Sequence, residues 1–296
     1  MISYLLICFI IVLLFIRPRR RTLKKLMADE LILKKVPKNL FSEPYENMTV
    51  SNAKGECFEA RFYPALSPSE KYIIILHGHN ASALSSVRYL ALFRELGYNC
   101  LMPSLNRCGM SDGKFISFGK EESETVRLWH SEIKRINICA SVGIFGESLG
   151  GATAVIASSR IKDICFLIDY CGFASVMNVV NGFMKKFFPL FVFYFGVKLM
   201  FNMAGITHED SPMFNAKNVT CPALIMHSKS DRMIELKNSE IIYNNLINSC
   251  DKKLKIFNGA QHGLCHTDCK EEFEAEVKAF VIKAEQTYVT KGETYE

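Results

Sequence analysis

The sequence lacks several features that would each indicate a particular class of protein. It has no internal repeat and no low-complexity tract, so no repeat architecture is expected. Its 11 cysteines are scattered instead of spaced as a disulfide framework, which is typical of a reducing compartment. No nucleic-acid-binding motif accompanies the net charge of +6, so nucleic acid is not an expected partner. The composition, 49% hydrophobic and 22% charged over 296 residues, is globular and allows one large core.

The chain also lacks positive charge before its first apolar run, at residues 2–16, and small residues after it. A cleaved secretory signal would have both, so a retained membrane anchor is the better interpretation, although the run is shorter than about 20 residues. Basic residues follow the run, beginning at Arg17, and would meet anionic lipid head groups. The positive-inside rule then places the remaining chain in the cytoplasm. We therefore predict a single-pass protein of the cell membrane, in contact with the bilayer through its N-terminal segment.

The rest of the chain alternates between strand and helix patterns. Residues 22–36 have helical spacing of apolar residues, and Pro37 ends that pattern. Short apolar runs predict strands at 57–63, 72–76, 99–102, 142–145, 165–168, 223–227 and 253–257. Helical patterns fall at 86–96, 121–137, 149–159, 236–248 and 269–286. This alternation predicts an α/β fold with a mostly parallel sheet and helices on both faces.

Residues 173–215 interrupt the alternation with about 40 residues that contain no strand pattern. The segment is rich in aromatic residues, including Phe187, Phe188 and Phe195. A second transmembrane segment is the competing interpretation, but lysines and a proline leave no uninterrupted apolar run of the required length. We predict a helical cap insertion over the sheet.

The motif Gly146-Glu147-Ser148-Leu149-Gly150 stands directly after one predicted strand and directly before a predicted helix. A serine on such a tight turn is held in a strained backbone with its hydroxyl exposed, and the flanking glycines avoid collisions with neighbouring elements. The turn also directs the backbone N–H of Leu149 toward a developing oxyanion. Without the strand and helix context the motif would be no more than a glycine-rich turn. Ser148 is therefore the predicted nucleophile.

A serine hydroxyl needs a base that is oriented by a carboxylate. Asp231 follows the predicted strand at 223–227, and His262 follows the predicted strand at 253–257. Each stands just past the carboxyl end of its strand, where open α/β sheets place their sites. Either residue alone would more often be a solvated surface group, but the order Ser148, Asp231, His262 predicts a catalytic triad.

The loop His77-Gly78-His79-Asn80 follows the predicted strand at 72–76. Its position allows the backbone N–H of His79 to be the second oxyanion donor, with Gly78 permitting close approach. Asn80 is the weaker candidate for that donor. His77 is expected to hold the structure through hydrogen bonds instead of acting as a second base.

With these segments together, the chain resembles the α/β-hydrolase superfamily, particularly bacterial membrane-anchored esterase-like or serine-aminopeptidase-like members. The segment at 103–113 is similar to a glycine-rich loop of that family. Four residues differ from those usual in the family: Asn106 and Cys108 in this loop, and Ser228 and Glu235 elsewhere. The resemblance covers roughly residues 50–285, after the anchor with its basic flank at 1–21 and the amphipathic helix and linker at 22–47 that the apolar patterns predict. It further implies an α/β-hydrolase domain at 48–290, with its cap at about 173–215.

The expected activity is hydrolysis of a carboxylic ester through an acyl-enzyme on Ser148, with an apolar small-molecule acyl substrate and no cofactor. The aromatic cap would form an acyl pocket, or its rings would only pack on the sheet. A serine peptidase of the aminopeptidase type is the alternative, weakened by the few acidic residues in the cap. A non-catalytic membrane-docked binding protein is the second alternative. A metal cluster of His262, Cys265, His266, Asp268 and Cys269 has poor zinc spacing, so no metal is expected.

Overall fold

The computed structural model describes residues 2–34, 36–186 and 190–293. Met1 of the predicted anchor, Lys35 of the predicted amphipathic helix, and Phe187 and Phe188 of the aromatic segment lie outside the described residues.

Eight strands form one sheet at the centre of the molecule. They are β1 (Glu46–Ser51), β2 (Cys57–Tyr63), β3 (Lys71–Leu76), β4 (Asn99–Pro103), β5 (Ser141–Glu147), β6 (Phe166–Tyr170), β7 (Ala223–Ser228) and β8 (Lys252–Phe257). Their order in the sheet is β1-β2-β4-β3-β5-β6-β7-β8. β2 runs antiparallel to both β1 and β4, and all other neighbours are parallel. Mostly parallel strands align their carboxyl ends, which brings the loops after β3, β5, β7 and β8 to one edge of the sheet.

Both faces of the sheet are buried because successive side chains of a strand point in opposite directions. In β3, Tyr72, Ile74 and Leu76 pack into one core cluster. Ile73 and Ile75 pack into a second cluster on the opposite face. A strand that is buried on both faces must be apolar at every position, which explains its continuous apolar run.

Helices cover both faces. They are α1 (Ile2–Ile16), α2 (Leu23–Ile32), α3 (Ala83–Ser86), α4 (Leu90–Glu95), α5 (Lys120–Ile136), α6 (Leu149–Arg160), α7 (Val176–Lys186), α8 (Tyr194–Met203), α9 (Pro212–Asn215), α10 (Lys237–Asn245), α11 (Cys265–Asp268) and α12 (Lys270–Glu293). Side chains of α5, α6 and α10 join the first core cluster. Side chains of α4 and α12 join the second. The predicted α/β class, with a mostly parallel sheet between two layers of helices, is confirmed.

The segment between β6 and β7 contains α7, α8 and α9 and no strand among its described residues. Phe201 of α8 lies buried against Phe118, which precedes α5, with ring centroids 5.9 Å apart. Phe118 in turn contacts Phe173 at 6.0 Å. These edge-to-face aromatic contacts pack the helical segment against the side of the sheet that α5 and α6 cover.

The prediction of a single-pass location in the cell membrane is wrong. Within residues 2–34, 36–186 and 190–293, no helix combines the length and the apolar character needed to cross a bilayer. The apolar run that suggested an anchor forms α1, which has 15 residues. At 1.5 Å per residue it extends about 22 Å, less than the roughly 30 Å of a hydrocarbon core.

α1 instead packs against the helical segment between β6 and β7. Cys8, Val12 and Ile16 repeat every fourth residue and are buried, as a helix stripe facing a neighbour requires. The hydroxyl of Tyr4 donates to the carbonyl of Val192 at 2.9 Å, and the Tyr4 ring stacks on Phe193 at 5.1 Å. The residues after α1 contact the loops that follow β3 and β4, through Arg19 with Asn80 and through Arg20 with Gly109 and Ser111.

Candidate active site

Ser148 occupies the junction between β5 and α6, since β5 ends at Glu147 and α6 begins at Leu149. Its backbone φ is +58°, a left-handed conformation that is strained for any residue with a side chain. A Cβ on Gly146 would lie 2.0 Å from the carbonyl oxygen of Gly150, and one on Gly150 would lie 2.2 Å from that of Leu76. The turn therefore closes only with glycine at both positions.

The structure brings the three predicted catalytic side chains together. Nε2 of His262 lies 3.0 Å from the Ser148 hydroxyl. Nδ1 of His262 lies 2.6 Å from Oδ2 of Asp231. An ionised Asp231 accepts a hydrogen bond from Nδ1–H, so Nε2 is left to accept the proton of the serine hydroxyl. The order of donors and acceptors is the one that general-base activation of a serine requires.

Asp231 is held by the backbone as well as by histidine. Its Oδ1 accepts hydrogen bonds from the N–H groups of Met233 at 2.8 Å and Ile234 at 2.9 Å. Burial alone would raise the pKa of Asp231, but hydrogen bonds from His227 and His262 hold that pKa well below its usual range. The carboxyl is therefore ionised at neutral pH, where it stabilises a protonated His262.

The two predicted oxyanion donors, Leu149 and His79, line the same cavity as Ser148. Leu149 is the first residue of α6, where a backbone N–H has no intrahelical partner. The loop after β3 passes close by, because a Cβ on Gly78 would lie 3.6 Å from Cβ of Ser148. His79 lines the same cavity as Ser148, and its Nε2 lies 2.8 Å from the carbonyl oxygen of Phe15.

His77 holds this loop in place. The backbone N–H of Leu105 donates to its Nε2 at 2.9 Å, so Nδ1 carries the hydrogen and donates to the carbonyl of Gly78 at 2.7 Å. Burial lowers the pKa of His77 to about 4, which keeps the ring neutral at physiological pH. The expectation that His77 is structural is confirmed by these bonds.

A cavity of about 630 Å³ opens at Ser148. Most of its lining is apolar, and none of the described residues around it is an Asp or a Glu. The lining residues are Phe15, His79, Phe118, Ser148, Leu149, Phe173, Val179, Arg232, Met233, Ile234, Gln261 and His262. A cavity with an apolar wall and a few polar groups at one end is typical of a small-molecule site.

Two contributions to the site were missed from the sequence. Phe15 lines the cavity, but it lies in the apolar run that was interpreted as an anchor. Lys34 contacts the loop that carries His262, but nothing in the basic stretch around it distinguishes this lysine from its neighbours. Only the three-dimensional neighbourhood identifies either residue, because each lies more than 60 positions from the residues that it meets.

The alternative metal cluster of His262, Cys265, His266, Asp268 and Cys269 is not brought together. Among the residues that the structure describes, one group offers three metal-binding atoms within 4.8 Å of one another, and it consists of Cys171, Asp231 and His262. Two of its members already bond to each other, and burial raises the pKa of the Cys171 thiol well above its ordinary value. A protonated thiol is a poor metal ligand, so the group fits an Asp–His pair beside a packed cysteine better than a metal centre.

Comparisons with known proteins bear on the fold. No family model matches the chain. It is 29% identical over 218 residues to YqkD, an uncharacterized protein of Bacillus subtilis (strain 168), covering 71% of this chain and 70% of that protein.

Several solved structures share the architecture. An esterase of Pyrococcus furiosus, Pf2001, superposes with a TM-score of 0.70 and 19% identity, over 84% of this chain and 94% of the esterase. The α/β hydrolase GrgF of Penicillium gives a TM-score of 0.60 at 16% identity, over 82% of this chain and 99% of that one. An acylaminoacyl peptidase of Pyrococcus horikoshii gives 0.62 at 19% identity, over 86% of this chain and 42% of the peptidase. At these identities the likeness concerns the fold, and the fold is that of the α/β hydrolases.

Proposed function

We propose that this protein is a serine hydrolase that cleaves carboxylic esters through an acyl-enzyme on Ser148. The observation that carries the proposal is the hydrogen-bonded chain from Ser148 through His262 to Asp231, with separations of 3.0 and 2.6 Å. It stands on an α/β-hydrolase fold, at the mouth of an apolar cavity. The fold alone would not imply catalysis, because one fold hosts many functions.

In the first step, the Ser148 hydroxyl attacks the ester carbonyl carbon while Nε2 of His262 takes its proton. The carbonyl π electrons move to oxygen, and the resulting oxyanion accepts hydrogen bonds from the N–H groups of Leu149 and His79. The tetrahedral intermediate collapses with cleavage of the bond to the leaving alkoxide, which receives the proton from His262. Ionised Asp231 stabilises the imidazolium that exists between these two transfers.

In the second step, water replaces the alcohol. His262 removes a proton from the water, which attacks the acyl carbon. The second tetrahedral intermediate collapses with cleavage of the bond to the Ser148 oxygen, which receives the proton from His262 as the acid leaves. The two steps need one base only, because the same Nε2 serves each proton transfer in turn.

The cavity supports an apolar acyl group as the substrate portion bound beside Ser148. Phe118 and Phe173 pack against each other in its wall, and Val179 comes from the helical segment above them. Burial of hydrocarbon against such a wall contributes about 25 cal/mol for each Å² removed from water. An aminopeptidase-like site would need an acid to hold a free amine, and none of the described lining residues supplies one.

A serine peptidase is the second candidate. The fold is shared with an acylaminoacyl peptidase at a TM-score of 0.62, and the same acyl-enzyme chemistry cleaves amides. A panel of p-nitrophenyl esters and aminoacyl p-nitroanilides separates the two candidates. Turnover of the esters with no detectable release from the anilides supports an esterase, and the reverse result supports a peptidase.

The test of the proposal is covalent labelling by a fluorophosphonate. The wild-type protein should be labelled at one residue, and Ser148→Ala should abolish both labelling and ester hydrolysis, to below about one thousandth of the wild-type rate. Ser67→Ala is the matched control because Ser67 is exposed and does not line the cavity. Persistent labelling of Ser148→Ala, or equal loss in Ser67→Ala, would contradict the assignment.

A further inference from the structure

Lys34 follows α2 and reaches the loop that carries His262. Its Nζ donates to the backbone carbonyl of His262 at 3.2 Å and to that of Gly263 at 3.1 Å. The same ammonium lies 3.6 Å from Oε1 of Glu147, the residue that precedes Ser148. One cation therefore bridges the loop of the base and the strand end of the nucleophile.

The Glu147 end of this bridge is anchored in the interior. Arg88 lies with one nitrogen 3.1 Å from Oε2 of Glu147 and the other 3.0 Å from Oε2 of Glu30, which belongs to α2. The hydroxyl of Tyr89 also donates to Oε2 of Glu147. The side chains of Arg88 and Glu147 are 4% and 5% exposed, so solvent screens the interaction little. The cations Arg88 and Lys34 thus both face the carboxylate of Glu147, and Lys34 is the partly exposed one of the two.

The loop that carries His262 contains two glycines in the left-handed backbone region. Gly259 and Gly263 both have positive φ, at +87° and +66°. A Cβ on Gly263 would lie 2.5 Å from Nζ of Lys34 and 2.6 Å from Oε1 of Glu147. The loop thus packs directly on the bridge, and glycine at 263 is what allows the approach.

We propose that Lys34 is a positioning residue of the catalytic histidine, holding the loop of His262 against Glu147 so that Nε2 stays within reach of the Ser148 hydroxyl. The inference rests on the proposed function. Lys34 acts through the backbone of residues 262 and 263 and touches no reacting atom. Because a displacement of about 1 Å of a catalytic group costs on the order of 100-fold in rate, loss of this support acts on kcat.

The experiment compares four full-length proteins: wild type, Lys34→Ala, Lys34→Met and Lys24→Ala. Lys24 lies in the same N-terminal segment with an exposed side chain and is the matched control. Active sites are titrated with a fluorophosphonate, so that kcat refers to folded, reactive sites, and p-nitrophenyl butyrate is the substrate. We expect Lys34→Ala and Lys34→Met to lose about 10- to 100-fold in kcat with KM within twofold of wild type.

Chemical rescue gives a readout that a merely structural lysine would not move. Added ethylammonium should restore kcat of Lys34→Ala at least threefold, since the shortened side chain leaves room for a small cation, and should not affect Lys34→Met or Lys24→Ala. If either Lys34 variant keeps the kcat of Lys24→Ala per titrated site, the positioning role is wrong although the hydrolase remains. A wild-type protein that neither titrates nor turns over any ester contradicts the proposed function itself.

Discussion

Glu147 stands immediately before Ser148 and remains ionised although it is buried. Burial alone would raise the pKa of Glu147, but the cations Arg88 and Lys34 lower it to about 2. A depressed carboxyl pKa contributes stability above the pKa of the unfolded chain, and that contribution disappears as pH falls toward the folded value. For Glu147 the window runs from its ordinary 4.5 down to about 2.

This window predicts a pH-dependent difference between wild type and Glu147→Gln. The difference between 4.5 and about 2 corresponds to about 3 kcal/mol of stability, at about 1.4 kcal/mol for each tenfold change in proton affinity. The wild-type advantage in the free energy of unfolding should be full above pH 5 and shrink steadily as pH falls toward 2. Urea unfolding at a series of pH values measures it.

The control for this series is Glu271→Gln, which changes an exposed glutamate of α12. Its pH profile should run parallel to that of the wild type. An advantage of the wild type over Glu147→Gln that stays constant between pH 5 and pH 3 would mean that folding does not lower the pKa of Glu147.

At the scale of single residues, the sequence predicted the side chains of the site but not the charged residues that pack around Glu147. Ser148, Asp231 and His262 were identifiable because each follows its own strand. Gly146 and Gly150 were identifiable because the tight turn around Ser148 excludes a Cβ at both positions. The partners of Glu147 come from two separate parts of the chain, at position 34 and at positions 88 and 89. No local sequence pattern relates such positions, so a buried cluster of charged residues cannot be predicted from the spacing of residues along the chain.

Among the elements, α1 contributes to the wall of the cavity at Ser148 through Phe15. We expect Phe15→Ala to lower kcat/KM for p-nitrophenyl octanoate about tenfold, or about 1.4 kcal/mol, because a long acyl chain loses apolar contact and gains water. The value for p-nitrophenyl acetate should stay within twofold, since a short acyl group does not reach the wall.

Leu14→Ala provides the comparison on the same helix, because Leu14 is 68% exposed and outside the cavity. It should leave both substrates unchanged. A Phe15→Ala protein with equal losses for the two esters would indicate a disturbed site and not a shortened pocket.

The strands also show where sequence patterns succeed and fail. All seven predicted strands are present, because buried parallel strands such as β3 and β7 are apolar at every position. β1 was missed: its sequence ENMTVS is mostly polar, and it lies at the edge of the sheet with no fully buried residue. An edge strand needs only one neighbour and one covered face, so its composition carries little signal.

For the molecule as a whole, the N-terminal segment is part of the folded body. Arg17 donates from Nε to the carbonyl of Lys114 at 2.9 Å, and Arg20 donates to those of Gly109 and Ser111 at 3.2 and 2.9 Å. Deletion of residues 1–21 should therefore lower the melting temperature by roughly 5 °C or more, about 2 kcal/mol in a domain of this size. Differential scanning calorimetry measures the change.

The comparison protein carries Leu6→Gln and Leu14→Gln, which alter only the exposed side of α1. Its melting temperature should remain within about 2 °C of wild type, as is usual for surface substitutions. A deletion protein that melts at the wild-type temperature would show that the segment contributes nothing to the fold.

The apolar run of α1 was wrongly predicted to be a membrane anchor, because the same apolar pattern occurs in membrane-spanning helices and in helices that pack on a protein surface. Leu6, Phe9 and Leu14 are apolar and more than half exposed, while Cys8 and Val12 are buried against the helical segment. Hydrophobicity on every side of a helix is also the signature of a membrane span. The neighbours that distinguish the two lie far away in the sequence, at Val192 and Phe193.

The contact between Tyr4 and Val192 spans 188 positions of the chain. During synthesis at about 5–20 residues per second, α1 therefore waits on the order of 10–40 s for the surface on which it packs. Throughout that interval α1 lacks the helical segment between β6 and β7, on which Tyr4 stacks through Phe193. The loop of His262 is made later still, so Ser148, Asp231 and His262 come together only after the helical segment has been made.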